Sequence, residues 1–415
     1  MATPSRFVRA RIKTPPSPAA LLRNNFPAAM SQPAPTLSRR NSPVHPNQKN
    51  STYTHIMQRR DFFKNSALLS GIGMLGGAAL PQPAEAAPAP KQPRFSSKFV
   101  DHGGANPQKH LTYYNYEKQA WFRKDNTVVT AYRANASQKY PYWYPLAGPK
   151  TGLSLVAETA QPWPHHRGIF FGCDHVNGAN YWQNAPKDGQ ILSQGFALQK
   201  IGETGAVFTD RCLWRQPGKE PIIEDKRRYE LTFLDANRYV FDAFFEILPL
   251  TKVIIKKSNH ALFGVRSAPD ISVVGGGTLE TSAGLKLFDD GKGKFVLSTG
   301  ESIAKNDRGV ANFMNAVHGK PARWLSFHGN RAGLGIREGV AVMTPEGLPE
   351  PFDKNLWFFR NYGNISPMPM LFIKDKITLE KGAPLQLRYR VVAYAGTPQD
   401  ANLNGLWDEF NGKKS

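Results

Sequence analysis

The chain has 415 residues, a formal net charge of +21 and only two cysteines. Two cysteines exclude a disulfide framework, and without zinc-finger spacing or a recognition motif the charge does not point to nucleic acid. The length suits one large domain or two small ones.

Residues 1–56 hold eight Lys and Arg, no Asp or Glu, and much Pro, Ser, Ala and Asn. Such a segment cannot bury enough apolar surface to fold, so it reads as a disordered leader or an over-extended start. Met57-Gln58-Arg59-Arg60-Asp61-Phe62-Phe63-Lys64 then has the form of a twin-arginine export signal. An apolar, glycine-rich stretch from Ala67 to Leu80 and a small-residue cleavage site at Ala84-Glu85-Ala86 complete a signal peptide over 57–86. The stretch is too short and too rich in glycine for a permanent span, so no membrane span is expected after cleavage. The expected location is the periplasm. The leader carries +8 and the signal +1, which leaves +12 on residues 87–415. That balance favours acidic partners, which in the periplasm means anionic glycans or cell-surface polymers. Cys173 and Cys212 allow one disulfide, but a protein exported folded must form its fold without it.

Residues 87–110, rich in Pro, Lys and Ser, read as a linker into a single domain over 111–415. From Leu111 short apolar or alternating runs are broken by Gly, Pro, Asn and Asp, the pattern of strands. Examples are Thr127–Tyr132, Arg228–Phe233, Arg238–Ile247, Ala322–Phe327, Gly339–Met343 and Leu385–Tyr394. In the last, Leu385, Leu387, Tyr389 and Val391 share one face while Gln386, Arg388 and Arg390 share the other, as in a half-exposed antiparallel strand. Asp289-Asp290-Gly291-Lys292-Gly293 predicts a hairpin turn. Ala401–Phe410 predicts one short terminal helix. No repeat of solenoid or propeller length occurs. The expected fold is all-β, a large antiparallel two-sheet sandwich with one short C-terminal helix; a galactose-mutarotase-like supersandwich is one form of it.

The chemistry concentrates in one stretch, Pro162-Trp163-Pro164-His165-His166-Arg167-Gly168 running into Ile169-Phe170-Phe171 and then Gly172-Cys173-Asp174-His175-Val176-Asn177-Gly178. The prolines predict an extended approach and the apolar triplet a buried strand. Polar groups thus gather at both ends of one strand, where loops carry chemistry on a rigid support. Phe263–Ala268 places Arg266 in a strand of small and apolar residues, and Trp357–Gly363 interrupts an aromatic strand with Arg360. A charge in such a strand needs a partner, either a substrate or an acid such as Asp242, Glu246 or Asp270. Tyr140-Pro141-Tyr142-Trp143-Tyr144-Pro145 adds a dense aromatic patch, and an aromatic floor with a few convergent polar groups makes a binding cleft.

Three histidines allow acid/base work, for which imidazole suits neutral pH, or metal ligation by some subset of His165, His166, Asp174 and His175. Adjacent side chains on an extended segment point to opposite faces, so His165 and His166 are not expected to share an ion. No His-x-His pair or His-Glu-x-x-His motif is present, so no metal or other cofactor is expected. Hydrolysis by paired carboxylates is not evident, because the stretch supplies only Asp174. Proton abstraction beside a carbonyl or carboxylate, with arginine neutralising the developing charge, fits better, and ring-opening at an anomeric centre fits equally well. Cys173, between Gly172 and the buried run, reads as a bystander.

These landmarks resemble the bacterial family labelled PmoA-like. The likeness lies in Tyr142-Trp143-Tyr144-Pro145-Leu146 with Gly148-Pro149, Pro164-His165-His166-Arg167-Gly168, and Val176-Asn177-Gly178 with Trp182. It continues in Gly264-Val265-Arg266, Ala322-Arg323-Trp324 and Arg360-Asn361-Tyr362-Gly363, over roughly Tyr113 to Gly396. Where relatives read Gly-His-Gly-Asp before Val-Asn-Gly, this chain has Gly172-Cys173-Asp174-His175. A membrane oxygenase subunit needs several apolar spans of about 20 residues, and none follows the signal. The resemblance implies an all-β domain associated with carbohydrate handling.

The expected function is that of an exported carbohydrate-active enzyme acting on an acidic or oxidised saccharide by His-mediated acid/base chemistry, lyase- or epimerase-like. The catalytic set is His165, His166, Asp174 and His175. The substrate-binding set is Arg167, Asn177, Trp182, Arg266, Arg360 and Tyr362. A non-catalytic periplasmic sugar-binding protein and a metal-dependent oxidase are the alternatives.

Overall fold

The computed structural model describes residues 99–100 and 111–413 apart from 126, 159–162, 184, 276, 282–283, 289–291, 305–317 and 332. The leader, the signal, most of the linker stretch, Pro162 and the Asp289–Gly291 turn lie outside the described residues.

Alternating apolar residues with turn formers between them give antiparallel meanders. The first is β1 (Phe99–Val100), β2 (Leu111–Tyr116), β3 (Gln119–Lys124), β4 (Thr127–Arg133), β5 (Tyr142–Leu146) and β6 (Ile169–Cys173). The second is β7 (Gln190–Gly202), β8 (Gly205–Arg215), β9 (Ile223–Phe233) and β10 (Arg238–Pro249). The chain then alternates between layers through β11 (Val253–Lys256), β12 (Ala261–Arg266), β13 (Gly277–Thr281), β14 (Gly284–Phe288), β15 (Lys294–Leu297), β16 (Ser302–Ala304), β17 (Trp324–Asn330) and β18 (Arg337–Met343). It ends with β19 (Trp357–Arg360), β20 (Asn364–Pro367), β21 (Lys376–Leu379), β22 (Leu385–Ala395) and the helix α1 (Leu403–Phe410).

Two nine-stranded sheets result, ordered β1-β2-β3-β4-β5-β6-β12-β20-β19 and β16-β15-β17-β18-β22-β10-β9-β8-β7. All their pairings are antiparallel, as expected of this all-β sandwich. Aromatic rings join the layers: Phe171 stacks on Phe245 at 3.9 Å, Phe263 on Tyr389 at 4.5 Å and Phe295 on Phe359 at 4.1 Å. Such offset ring pairs add to the area they bury. Trp143 belongs to this interior, packed on Phe241 and Tyr229, rather than to a substrate floor. Cys173 and Cys212 are buried free thiols whose burial pushes both well above the usual thiol range, so Cys173 is a bystander.

One expected face is corrected. Gln386 and Arg388 look outward from β22, but Arg390 is buried and forms a bidentate pair with Asp242 at 2.7 and 2.8 Å. The cause is α1, whose Leu403, Leu406, Trp407 and Phe410 cover that end of the sheet beside Val392 and Tyr394. The Asn402 side chain accepts from the Gly405 N–H at 3.2 Å and caps α1.

A buried ionic clamp ties the first sheet to the second. Arg331 donates to Asp270 at 2.8 Å, to Glu338 of β18 at 3.3 Å and to the Ser154 carbonyl at 2.8 Å. Glu338 also accepts from the Lys150 and Thr151 N–H groups at 2.7 and 3.0 Å and from the Thr151 hydroxyl at 2.6 Å. The turn after β5 is thereby fixed to β18.

Candidate functional site

Side chains alternate across a strand, so the inward Phe171 and Phe263 leave Phe170, Gly264 and Arg266 on the outer face of the first sheet. Register then aligns Phe170 with Gly264, and Arg266 with Asn364 and Arg360 on β20 and β19. A Cβ on Gly264 would lie 2.6 Å from the Phe170 ring, so glycine lets that ring lie across β12. On this support planar groups stack in series. Tyr140 lies over Phe170 at 5.4 Å, Phe170 under His166 at 5.8 Å, His166 against Tyr362 at 6.3 Å, and the Arg266 guanidinium over Tyr362 at 4.4 Å.

The approach to β6 is a turn and not an extended segment. The His166 N–H bonds to the Trp163 carbonyl at 3.1 Å, and Gly168 follows with φ of +57°. The turn overrides alternation, so the rings of His165 and His166 meet at 4.5 Å instead of pointing apart. The Tyr140 hydroxyl holds the His165 carbonyl. His166 is 3% exposed, clamped between Phe170 and Tyr362, and its Nδ1 has no partner. It is a buried support, and desolvation, then His165 and Arg266, push it well below the usual imidazole range. His165 stands nearer the surface. Burial first, then His260, Arg266 and Arg167, bring it down to about 4.

Asp174 follows β6 and is buried. It accepts from Ser258 Oγ, and its other oxygen meets His260 Nδ1 at 2.9 Å. His260 was not singled out by the sequence. Antiparallel pairing of Cys173 with Ala261 places it opposite Asp174. Its side chain is 24% exposed, and its ring lies 6.3 Å from His165 and 5.6 Å from Trp182. Trp182 is buried with an unpartnered Nε1, as is the whole amide of Asn364. Asn364 also escaped the sequence reading, because only strand register brings it here, whereas Tyr140 comes from the aromatic patch Tyr140–Pro145 and stacks on Phe170.

The other expected residues separate. His175 sits exposed at φ of +53° in the turn after β6, and none of the ring contacts given for the cluster includes it. Asn177 uses its amide on backbone: Nδ2 donates to the Lys252 carbonyl at 3.0 Å and Oδ1 accepts from the Ile254 N–H at 2.8 Å. It anchors β11 and does not face the histidines. Arg167 lies over Tyr142 at 5.5 Å. Arg360 lies over Phe358 at 4.4 Å and reaches the cluster through its bond to the Tyr362 hydroxyl. The acids considered for these arginines hold other cations, Asp242 with Arg390, Asp270 with Arg331 and Glu246 with Lys226. Among the described residues no three His, Cys, Asp or Glu side chains converge as metal ligands would.

The buried imidazoles make stability depend on pH. Unfolded histidine takes up its proton near 6.5, whereas folded His165 does so at about 4 and His166 well below the usual range. The unfolded chain therefore binds more protons below 6.5, and stability present above that pH falls as pH drops toward 4. Urea midpoints taken across this interval check the fall, and His166→Gln flattens it. Equal slopes in the variant and the parent defeat the assignment.

No curated protein sequence matches the chain. Among solved structures, it is similar to a family-36 α-galactosidase from Geobacillus stearothermophilus at 12% identity, covering 70% of this chain and 40% of that one, with a TM-score of 0.31. It is similar to an α-galactosidase from Lactobacillus brevis at 10% identity, covering 72% and 40%, with a TM-score of 0.32. It is similar to a galactose 1-epimerase from Lactobacillus acidophilus at 10% identity, covering 69% and 99%, with a TM-score of 0.32. The chain spans about two fifths of the length of those α-galactosidases. Residues 119–408 match the profile of a family of unknown function, DUF6807. This match corrects the PmoA-like resemblance, because the motifs that carried it lie almost wholly within a segment that belongs to a different family model. The chain is a member of the family of unknown function DUF6807.

Proposed function

We propose that the protein is an exported, periplasmic, carbohydrate-active enzyme that moves a proton on an acidic or oxidised saccharide. The observation that carries this reading is the pairing of a carboxylate-held imidazole, His260, with a second imidazole, His165, 6.3 Å away at the edge of an aromatic cluster. With Nδ1–H donated to Asp174, His260 is left with Nε2 as its proton-exchanging nitrogen. His165, neutral at pH 7, is the facing acceptor. One imidazole takes the proton from the carbon beside a carboxylate or carbonyl, and the electron pair moves onto that group's oxygens. Arg266, with Arg360 behind Tyr362, neutralises the developing charge. Return of a proton from the other imidazole on the opposite face gives an epimer. Departure of the β-oxygen with that proton gives an unsaturated sugar and a free hydroxyl.

Incubation with uronates, keto sugars and neutral sugars in D2O, read by mass spectrometry, tests this. The expected product carries solvent deuterium on carbon or a new double bond. Binding without product across the whole panel identifies a sugar-binding protein instead. Incorporation of solvent oxygen at a cleaved linkage identifies hydrolysis.

A further inference from the structure

Far along the chain from the histidine cluster, the outer face of the second sheet carries a separate cavity of about 480 Å³. It lies between β15–β17–β18 and the turn that leads into α1. Register builds its floor: Lys294 of β15 pairs with His328 of β17, and Asn330 of β17 with Arg337 of β18. Gly339 pairs with His328, and a Cβ there would meet the Tyr394 ring and hydroxyl at 2.5 Å and the His328 Cβ at 2.7 Å. Glycine thus leaves the imidazole its place in the floor.

Lys292, Lys294 and Arg337 line the cavity, and no Asp or Glu among the described residues does. None of the three is in a salt bridge among the described residues. Asp400, in the loop beside the cavity, accepts from the Thr397 N–H and hydroxyl at 2.8 Å each and is attracted to Arg337 without pairing with it. Ser302 and Asn330 add neutral hydrogen-bonding groups to the wall. His328 is 6% exposed and its Nδ1 has no partner. Burial, then Arg337 and Lys294, hold it down to about 4, so near neutral pH it offers a hydrogen bond and not a fourth charge. Like charges gathered in one cavity repel one another, and a buried polar atom without a partner is costly. Both costs are relieved by one kind of ligand.

We propose that this cavity binds the phosphate group of a small molecule, free or esterified. A dianion matches the three fixed cations, and tetrahedral oxygens can meet lysines, arginine and imidazole from different sides. The volume is in the range of about 300–1,000 Å³ usual for small-ligand sites, larger than phosphate alone needs.

Titration calorimetry of the full chain with inorganic phosphate, in a background of about 0.15 M chloride, tests the proposal. Saturable binding is expected, weakened about tenfold by Lys294→Ala or Arg337→Ala, each of which removes one charge-assisted contact. Both side chains are exposed, so the fold is retained, and Lys226→Ala on β9 serves as a control that leaves binding unchanged. Tighter binding of a hexose phosphate assigns an ester, and equal binding assigns the free ion; either upholds the site. Absence of saturable binding, or undiminished binding in the Lys294→Ala/Arg337→Ala double variant, overturns it.

Discussion

If the protein is the proposed saccharide enzyme, replacing His260 by glutamine is expected to lower turnover by about 10²–10⁴-fold, the usual worth of a positioned acid or base. Glutamine keeps polarity and size but has no titrating nitrogen. Asp174→Asn is the companion variant. Its amide can no longer accept on both oxygens, so it loses either the Ser258 bond or the His260 bond seen here at 2.9 Å. The His260 ring is then free to turn or to take the other tautomer. Asp174 acts through His260 and is a positioning residue. Its variant should lower kcat with KM little changed, and by less than His260→Gln does. His166→Gln should mainly cost stability, because that ring is packed between Phe170 and Tyr362. Full activity in His260→Gln would falsify the assignment of the acid/base pair.

Arg331→Met destabilises the domain by about 3–5 kcal/mol, the cost of breaking a buried ionic network from one side. The methionine fills much of the volume but leaves Asp270 and Glu338 facing each other without their shared cation. Both arginine and Glu338 side chains are fully buried, so water cannot make up the loss. The Ser154 carbonyl loses its Arg331 donor as well, and the Leu153 carbonyl keeps only the Gly148 N–H at 2.8 Å. Urea denaturation with an unchanged m-value and a lowered midpoint is the expected result. A variant as stable as the parent would show that the clamp is not what ties the β5 turn to β18.

The strands were legible in the sequence because period-two burial is written locally. Thr127–Tyr132 falls in β4, Arg238–Ile247 in β10 and Leu385–Tyr394 in β22. Leu403, Leu406, Trp407 and Phe410 likewise announce α1 by their spacing alone. Errors arose where another element intervened. Arg390 continues an exposed alternation on paper, but α1 lies over it. His165 and His166 should diverge on an extended chain, but the Trp163–His166 turn brings them together.

The sequence by itself determined the all-β class, the terminal helix and the concentration of His165, His166, Arg167 and Asp174 around one strand, since each depends on residue type and near-neighbour spacing. Only the tertiary structure decided which of them share a site. Pairing of β6 with β12 carries His260 across 86 residues to Asp174, and the row through β12, β20 and β19 aligns Arg266, Asn364 and Arg360. The same long-range order retired His175 to an exposed turn and gave Asn177 to the backbone of β11. Strand register is fixed by burying one face of each sheet over its full width, a sum over distant residues that no local window contains.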